Sequence, residues 1–288
     1  VPITLATATP GGGFPLYGGV VAEVINAIDP SLRVECRNTK GSTENVPLLE
    51  AGQVDLGLVT GEVAIEPFAK PGQPKHGLKI VTAMYSTAGM FVVRGDSPAR
   101  SIADLRGKPV AFGAAGSGLV VLARTVLDGM RLDMEHDFQA IYLERAGDGP
   151  DMVLDGRAAA LWGGGIGWPG FAKVAEAGGR FIVPDHDDIV RIRAKHAFLK
   201  PLTVPAGAYP GQSTPIQSVG SWSFILARPD LPEDTGYRLA KALHAGEAPL
   251  AAKLDQAKET TAANTAAAPD PAFIHPGVAR YLREIGVL

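Results

Sequence analysis

The chain is nearly devoid of cysteine. Cys36 is the only one among 288 residues, which excludes an internal disulfide and any metal site built on several thiolates. It lies in the alternating segment Leu32-Arg33-Val34-Glu35-Cys36-Arg37, where a half-buried structural thiol is expected. No apolar run approaches the ~18–20 residues of a membrane-spanning helix. Lysine and arginine are scattered and the net charge is −3. The basic stripe that a nucleic-acid partner requires is therefore missing. No signal peptide is visible. The chain starts with Val1-Pro2-Ile3-Thr4-Leu5, almost inside a strand, as expected of a chain whose leader has been removed.

Several catalytic signatures are missing too. A Walker A loop needs Lys followed by Ser or Thr to reach phosphates and Mg²⁺. Neither TPGGGFPLYGG (9–19) nor GAAGSGL (113–119) has that pair. Ala115-Gly116-Ser117-Gly118 misses G-x-S-x-G, since Ala115 stands where the first glycine is required, and no His/Asp pair can be assigned to Ser117, so a serine N-cap is expected there. Gly165-Ile166-Gly167-Trp168-Pro169-Gly170 does satisfy G-x-G-x-x-G, yet Trp168 and Pro169 would crowd a pyrophosphate. His76, His136, His196, His244 and His275 show no ligand spacing. The acidic run Asp185-His186-Asp187-Asp188 reads as the cap and first turn of a helix rather than a metal site. No catalytic residue, metal or cofactor is expected.

What is present is an apolar content of 46% and enough chain for two lobes. Strand and helix patterns alternate. ITLATA (3–8), LRVECRN (32–38), VDLGLVT (54–60) and LKIVTAMY (78–85) read as strands. PLYGGVVAEVINAI (15–28) and STENVPLLEAG (42–52) read as helices, the second with Ser42 as N-cap. The alternation restarts after GMFVVR (89–94) with PVAFG (109–113), SGLVVLARTVLDGM (117–130), FQAIYL (138–143) and AAALWG (158–163). Alternating elements imply an α/β fold with largely parallel sheets covered on both faces. With GMFVVR and SWSFILAR (221–228) as crossing strands, residues 1–88 and 225–288 form a first, discontinuous lobe and 89–224 a second. The Ala-rich stretch 260–272 reads as a surface connection.

Three strand-to-helix turns carry glycine and serine: TPGGGFP (9–15), TKGSTEN (39–45) and GAAGSGL (113–119). Each offers backbone N–H groups at a helix start, where the dipole is equivalent to roughly half a positive charge. A shared anion site is expected. Aromatics recur beside the turns, among them Phe14, Tyr17, Tyr85, Trp162, Trp168, Tyr209 and Trp222. Core packing is their default, but Tyr85 and Trp162 end predicted strands, so they join Tyr17 as candidate ligand contacts.

Taken in order, PGGGFPLYGGVVAEVI, NTKGSTENVPLLEAGQVDLGLVT, SIADLRGKPVAFGAAGSG, VPAGAYPGQ, RPDLPEDTGYRLAKAL and HPGVARYLREIG resemble the TAXI family of solute receptors of TRAP transporters. TKGSTEN with the Gly-x-x-Asp-Leu after it, and AGAYPGQ, are the specific pieces. The resemblance implies a two-lobed periplasmic-binding-protein fold of the second topological type, with a ligand cleft between the lobes. It implies a periplasmic, non-enzymatic, monomeric protein that closes on a small organic acid or amino acid and delivers it to TRAP permease subunits. Binding positions carry over to Gly12, Gly13, Phe14, Gly41, Ser42, Asn45, Thr60, Tyr85, Gly116, Ser117 and Gly118. The family's first turn usually reads Gly-Gly-Thr-Tyr-Tyr-Pro-Leu, so one aromatic contact is moved or lost here. Lys40 stands where the family usually has glycine and adds a cation at a helix start. Gly163 opens the glycine-rich segment GGGIGWPG (163–170) in the second-lobe pocket wall. The rival readings are a receptor of an ABC importer for sulfonate- or nitrate-like anions, and a transferase on the same architecture.

Overall fold

A computed structural model describes residues 1–64, 77–267 and 271–288. His76 and residues 268–270 of the Ala-rich stretch lie outside the described residues. In chain order the strands are β1 (Ile3–Ala6), β2 (Val34–Arg37), β3 (Leu56–Thr60), β4 (Lys79–Ala88), β5 (Met90–Val93), β6 (Pro109–Ala114), β7 (Gln139–Leu143), β8 (Ala160–Gly163), β9 (Arg180–Ile182), β10 (Lys200–Val204) and β11 (Ile216–Ala227). The helices used below are α1 (Gly13–Ile28), α2 (Ser42–Glu50), α3 (Gly118–Gly129), α4 (Gly149–Leu154), α5 (Pro169–Glu176), α6 (His186–Lys195), α7 (Glu233–Ala245), α8 (Glu247–Lys253), α9 (Ala262–Ala266) and α10 (Pro276–Glu284).

The chain forms two compact units. One contains Val1–Ala8, Phe14–Tyr85 and Trp222–Leu288; the other contains Thr9–Gly13 and Ser86–Ser221. In the first unit β1 is flanked by β2 and β3, both parallel to it. Ser223–Ala227 of β11 then runs antiparallel against Thr60–Leu56, and β4 also pairs with β11. Every residue of β3 is buried, as a central strand covered on both faces requires. α1 turns Tyr17, Val21, Val24 and Ile25 inward, a helical stripe that packs with Leu5, Leu58, Met84, Ile225 and Leu239.

The second unit repeats the scheme. β6 lies between β7 and β8, parallel to both, and β5 runs antiparallel to β8 and β9. Its core joins Phe91, Phe112, Val126, Phe138 and Trp162. In each unit three successive strands, β1–β3 in the first and β6–β8 in the second, thus stand in the order second, first, third, followed by an antiparallel strand, β11 or β5. The antiparallel strands and the hairpin partner β10 depart from the largely parallel sheets expected. β10 reads Lys-Pro-Leu-Thr-Val, and the sequence offered no periodicity for it.

Several local expectations change. Cys36 is exposed, because β2 is an edge strand in which only Val34 is buried. Gly41, not Ser42, caps α2. β4 runs on to Ala88, so Tyr85 lies inside a strand rather than at its end. Thr9–Gly13, expected in the first lobe, groups with the second unit. The caps at Asp185 and Ser117 are present: Asp185 and Asp188 form a reciprocal capping box on α6, and Ser117 Oγ accepts from Leu119 N at 3.1 Å.

One histidine is structural in a way the sequence did not announce. His275 is 3% exposed. Its Nε2 donates to Leu231 O at 2.9 Å, which leaves Nδ1 to accept from Gly277 N at 3.1 Å and cap α10. A proton on Nδ1 would destroy that acceptor. Burial holds the pKa below the ordinary histidine value. A depressed histidine contributes stability that is present above its unfolded pKa and is lost as pH falls below about 6.5. The thermal midpoint is therefore expected to drop between about pH 7.5 and 5.5, and His275→Asn, which keeps a capping oxygen without titrating, is expected to flatten that drop. An unchanged slope in the variant would assign the pH response to other groups.

Candidate functional site

The turn between β2 and α2 is built around Asn45. This side chain is fully buried. Its Nδ2 donates to Thr7 O and Leu58 O, both at 2.8 Å, and its Oδ1 accepts from Thr39 Oγ1 at 2.6 Å. Thr39 Oγ1 in turn accepts from Gly41 N at 3.1 Å. The network joins the carboxyl ends of β1 and β3 to the start of α2, the location at which ligands bind in such sheets. Asn45 spends its polar atoms on the protein, so it positions the turn instead of offering an atom to a ligand. Gly41 has φ 115° and ψ −156°, a backbone shape that side chains other than hydrogen resist.

Ser42 is the first helical residue and is fully buried. Its amide, like that of any first helical residue, has no intrahelical acceptor. Its Oγ accepts from Thr60 N at 3.1 Å. Thr60 closes β3, immediately before helical residues 61–64. Thr60 is 5% exposed, and its Oγ1 finds no hydrogen-bond partner among the described residues. A buried hydroxyl left unpaired costs about 1–3 kcal/mol. The unpaired hydroxyl thus lies beside an open helix terminus. Ser42, Gly41 and Thr60 are thus brought together.

Lys40 is exposed. Its backbone N–H donates to Glu44 Oε2 at 2.5 Å. Glu44 was not singled out in the sequence, although an acid three residues after a helix cap is a known signal. It places a carboxylate in the first turn of α2, so the charge at this terminus is mixed.

The first-unit aromatics are interior. Tyr17 and Tyr85 meet edge to face with ring centroids 5.1 Å apart. Tyr17 Oη lies 2.8 Å from Thr260 Oγ1, which donates to Met84 O at 2.8 Å. Burial pushes both phenols far above their ordinary range. These are core residues, and Phe14 packs half-buried against the same cluster.

In the second unit, the turn after β6 carries Gly116, Ser117 and Gly118. Ser117 N donates to Ala114 O at 2.9 Å, and Ser117 is half-buried as the cap of α3. Trp162 packs nearby, 1% exposed. Its Nε1 donates to Leu119 O at 2.8 Å and its ring meets Phe91 at 4.8 Å. It therefore steadies the start of α3 from within the core. A Cβ on Gly163 would sit 3.0 Å from both Phe171 Cζ and Trp168 Cζ3, so that glycine serves packing.

The first glycine turn is also committed to packing. Gly11 has φ 83°, and a Cβ there would lie 2.4 Å from Gly147 Cα. Gly11 O accepts from Trp168 Nε1 at 3.1 Å, Pro10 O from Gly147 N at 3.3 Å, and Thr9 O from Gly12 N at 3.3 Å. Gly12 and Gly13 are half-buried, and Gly13 opens α1. The G-x-G-x-x-G segment is likewise packing: a Cβ on Gly170 would be 2.4 Å from Trp168 Cζ2, and Tyr209 Oη donates to Gly165 O at 2.5 Å.

Solved structures with similar folds include three with bound small molecules. MatC from Rhodopseudomonas palustris with bound malate shares 14% identity at TM-score 0.62, over 99% of this chain and 96% of that one. The alkanesulfonate-binding protein SsuA from Xanthomonas axonopodis pv. citri, bound to MOPS, shares 16% identity at TM-score 0.50, over 98% and 83%. The effector-binding domain of QuiR in complex with shikimate shares 9% identity at TM-score 0.54, over 91% and 99%. At such identities the likeness is one of fold, and that fold is the mixed α/β architecture of two-lobed periplasmic solute-binding proteins. A family match extends over residues 5–286, nearly the entire chain, and the chain belongs to the NMT1-like family.

Proposed function

We propose that this protein is a periplasmic solute-binding protein of a TAXI-type TRAP transporter, which holds a small organic anion at the α2 terminus and delivers it to the membrane permease. The carrying observation is the unpartnered, buried Thr60 Oγ1 beside the Ser42 hydroxyl, to which Thr60 N is bonded. A carboxylate there would accept from Thr60 Oγ1 and from the Ser42 amide, and would gain from the helix dipole. The dipole contributes roughly 0.3–2 kcal/mol, a fraction of the about −8 kcal/mol needed for micromolar capture. Direct hydrogen bonds in a dry setting must supply the remainder. The reading is capture without turnover. The malate, MOPS and shikimate held by MatC, SsuA and QuiR support an anion, and TKGSTEN supports the TAXI assignment.

Thr60→Val separates this reading from a structural one. It removes an unpaired hydroxyl and fills the same volume, so stability is expected to stay level or rise by about 1 kcal/mol. Affinity for the bound acid is expected to fall about tenfold, which corresponds to one lost hydrogen bond of ~1.4 kcal/mol. Calorimetry against small acids, with thermal melts of both proteins, measures the two effects. Unchanged affinity in Thr60→Val would remove the site. Preference for sulfonates over carboxylates would shift the assignment to the sulfonate-receptor class.

A further inference from the structure

The charges around the α2 terminus limit what it can hold, an inference that rests on reading that terminus as an anion site. Among the described residues no lysine or arginine side chain is buried in either unit. The donors identified at the terminus are neutral, namely the Ser42 amide and the hydroxyls of Ser42 and Thr60, and the buried Glu62 lies two residues beyond Thr60. The adjacent cation, Lys40, is exposed, and what it contributes to the turn is its backbone N–H. The acceptor of that N–H is the carboxylate of Glu44, half-buried in the first helical turn. A negative charge thus already occupies the region where the dipole and the unbonded amides concentrate positive potential.

We propose that Glu44 is a specificity-determining residue, which restricts the site to acids of net charge −1 or to zwitterions and disfavours dianions. The first carboxylate of a ligand gains hydrogen bonds that outweigh the repulsion from Glu44. A second carboxylate meets the same repulsion and finds no buried cation to offset it. An ammonium on the ligand would instead be attracted. Because Glu44 is only partly buried, the discrimination is screened by salt, with a Debye length of about 8 Å at physiological ionic strength.

The test uses three acids with the same four-carbon chain: butyrate, 4-aminobutyrate and succinate. Calorimetry is run with the wild type and Glu44→Gln at low and high salt. The substituted amide retains an oxygen to accept from Lys40 N, so the cap survives. At low salt the wild type is expected to bind butyrate and 4-aminobutyrate about tenfold tighter than succinate, the scale of one unit charge acting through a partly aqueous medium. Glu44→Gln is expected to reduce that ratio to about threefold or less, and high salt is expected to reduce it in the wild type alone. Succinate binding as tightly as butyrate to the wild type, or a ratio untouched by Glu44→Gln, overturns the role of Glu44. Should the variant not fold, the wild-type salt series decides alone: a ratio that does not shrink with salt overturns it. Failure of all three acids to bind the wild type would instead refute the anion site itself.

Discussion

Trp162→Ala is expected to destabilise the second unit by about 3–5 kcal/mol, the usual cost of deleting a large buried ring. The side chain is 1% exposed and sits edge to face on Phe91 at 4.8 Å. A Cβ on Gly89 would lie only 2.3 Å from its Cη2, so the ring is packed against backbone with no slack to collapse into. Its N–H also satisfies Leu119 O in the first turn of α3. Trp162→Phe keeps most of the ring and loses the hydrogen bond, so about 1–2 kcal/mol is expected. Thermal or denaturant unfolding of the three proteins measures this. A Trp162→Ala protein that melts like the wild type but binds acid poorly would return Trp162 to the ligand.

Asn45→Ala is expected to cost about 3–5 kcal/mol and to weaken acid binding at the same time. Truncation strips the Asn45 donor from Leu58 O and Thr7 O, leaving Thr7 O only the longer bond from Thr39 Oγ1 at 3.3 Å, and removes the Oδ1 acceptor from Thr39 Oγ1. Each group left unpaired in the interior costs about 1–3 kcal/mol, and the sum is less than additive because they form one network. Thr39 Oγ1 also accepts from Gly41 N, so the turn that sets the Ser42 amide loses its anchor. The contrast with Thr60→Val is diagnostic. One variant lowers affinity through the fold and lowers the melting temperature; the other lowers affinity alone. Equal melting temperatures for Asn45→Ala and the wild type would show that the network does not hold the turn.

The sequence reading succeeded where a single local cause decides structure. The capping box at Asp185 needs only an acid three residues on from another, and Asp188 supplies it. The serine cap at Ser117 and the apolar stripe of α1 are equally local. It failed where the same residue type serves two ends. Three glycine turns look alike in sequence. One of them, at Thr9–Gly13, uses Gly11 for backbone contact with the distant Gly147, as the 2.4 Å approach of a notional Cβ to Gly147 Cα demands. Tyr85 and Trp162 were candidates because predicted strands ended on them. β4 continues to Ala88, and Trp162 turns into the core, because large rings gain more from burial than from contact with a small acid.

The sequence by itself determined the alternation of strands and helices, the single cysteine and the lack of Walker A and G-x-S-x-G motifs, and the TKGSTEN turn at the head of α2. Those follow from composition, period and residues a few places apart. Only the tertiary structure decided which polar atoms in that turn are already used. Asn45 is satisfied by carbonyls at the ends of β1 and β3, Glu44 lies across the Lys40 amide, and Thr60, 18 residues from Ser42, retains an unpaired hydroxyl. Hydrogen-bond saturation depends on partners distant in the chain, and no local pattern encodes it.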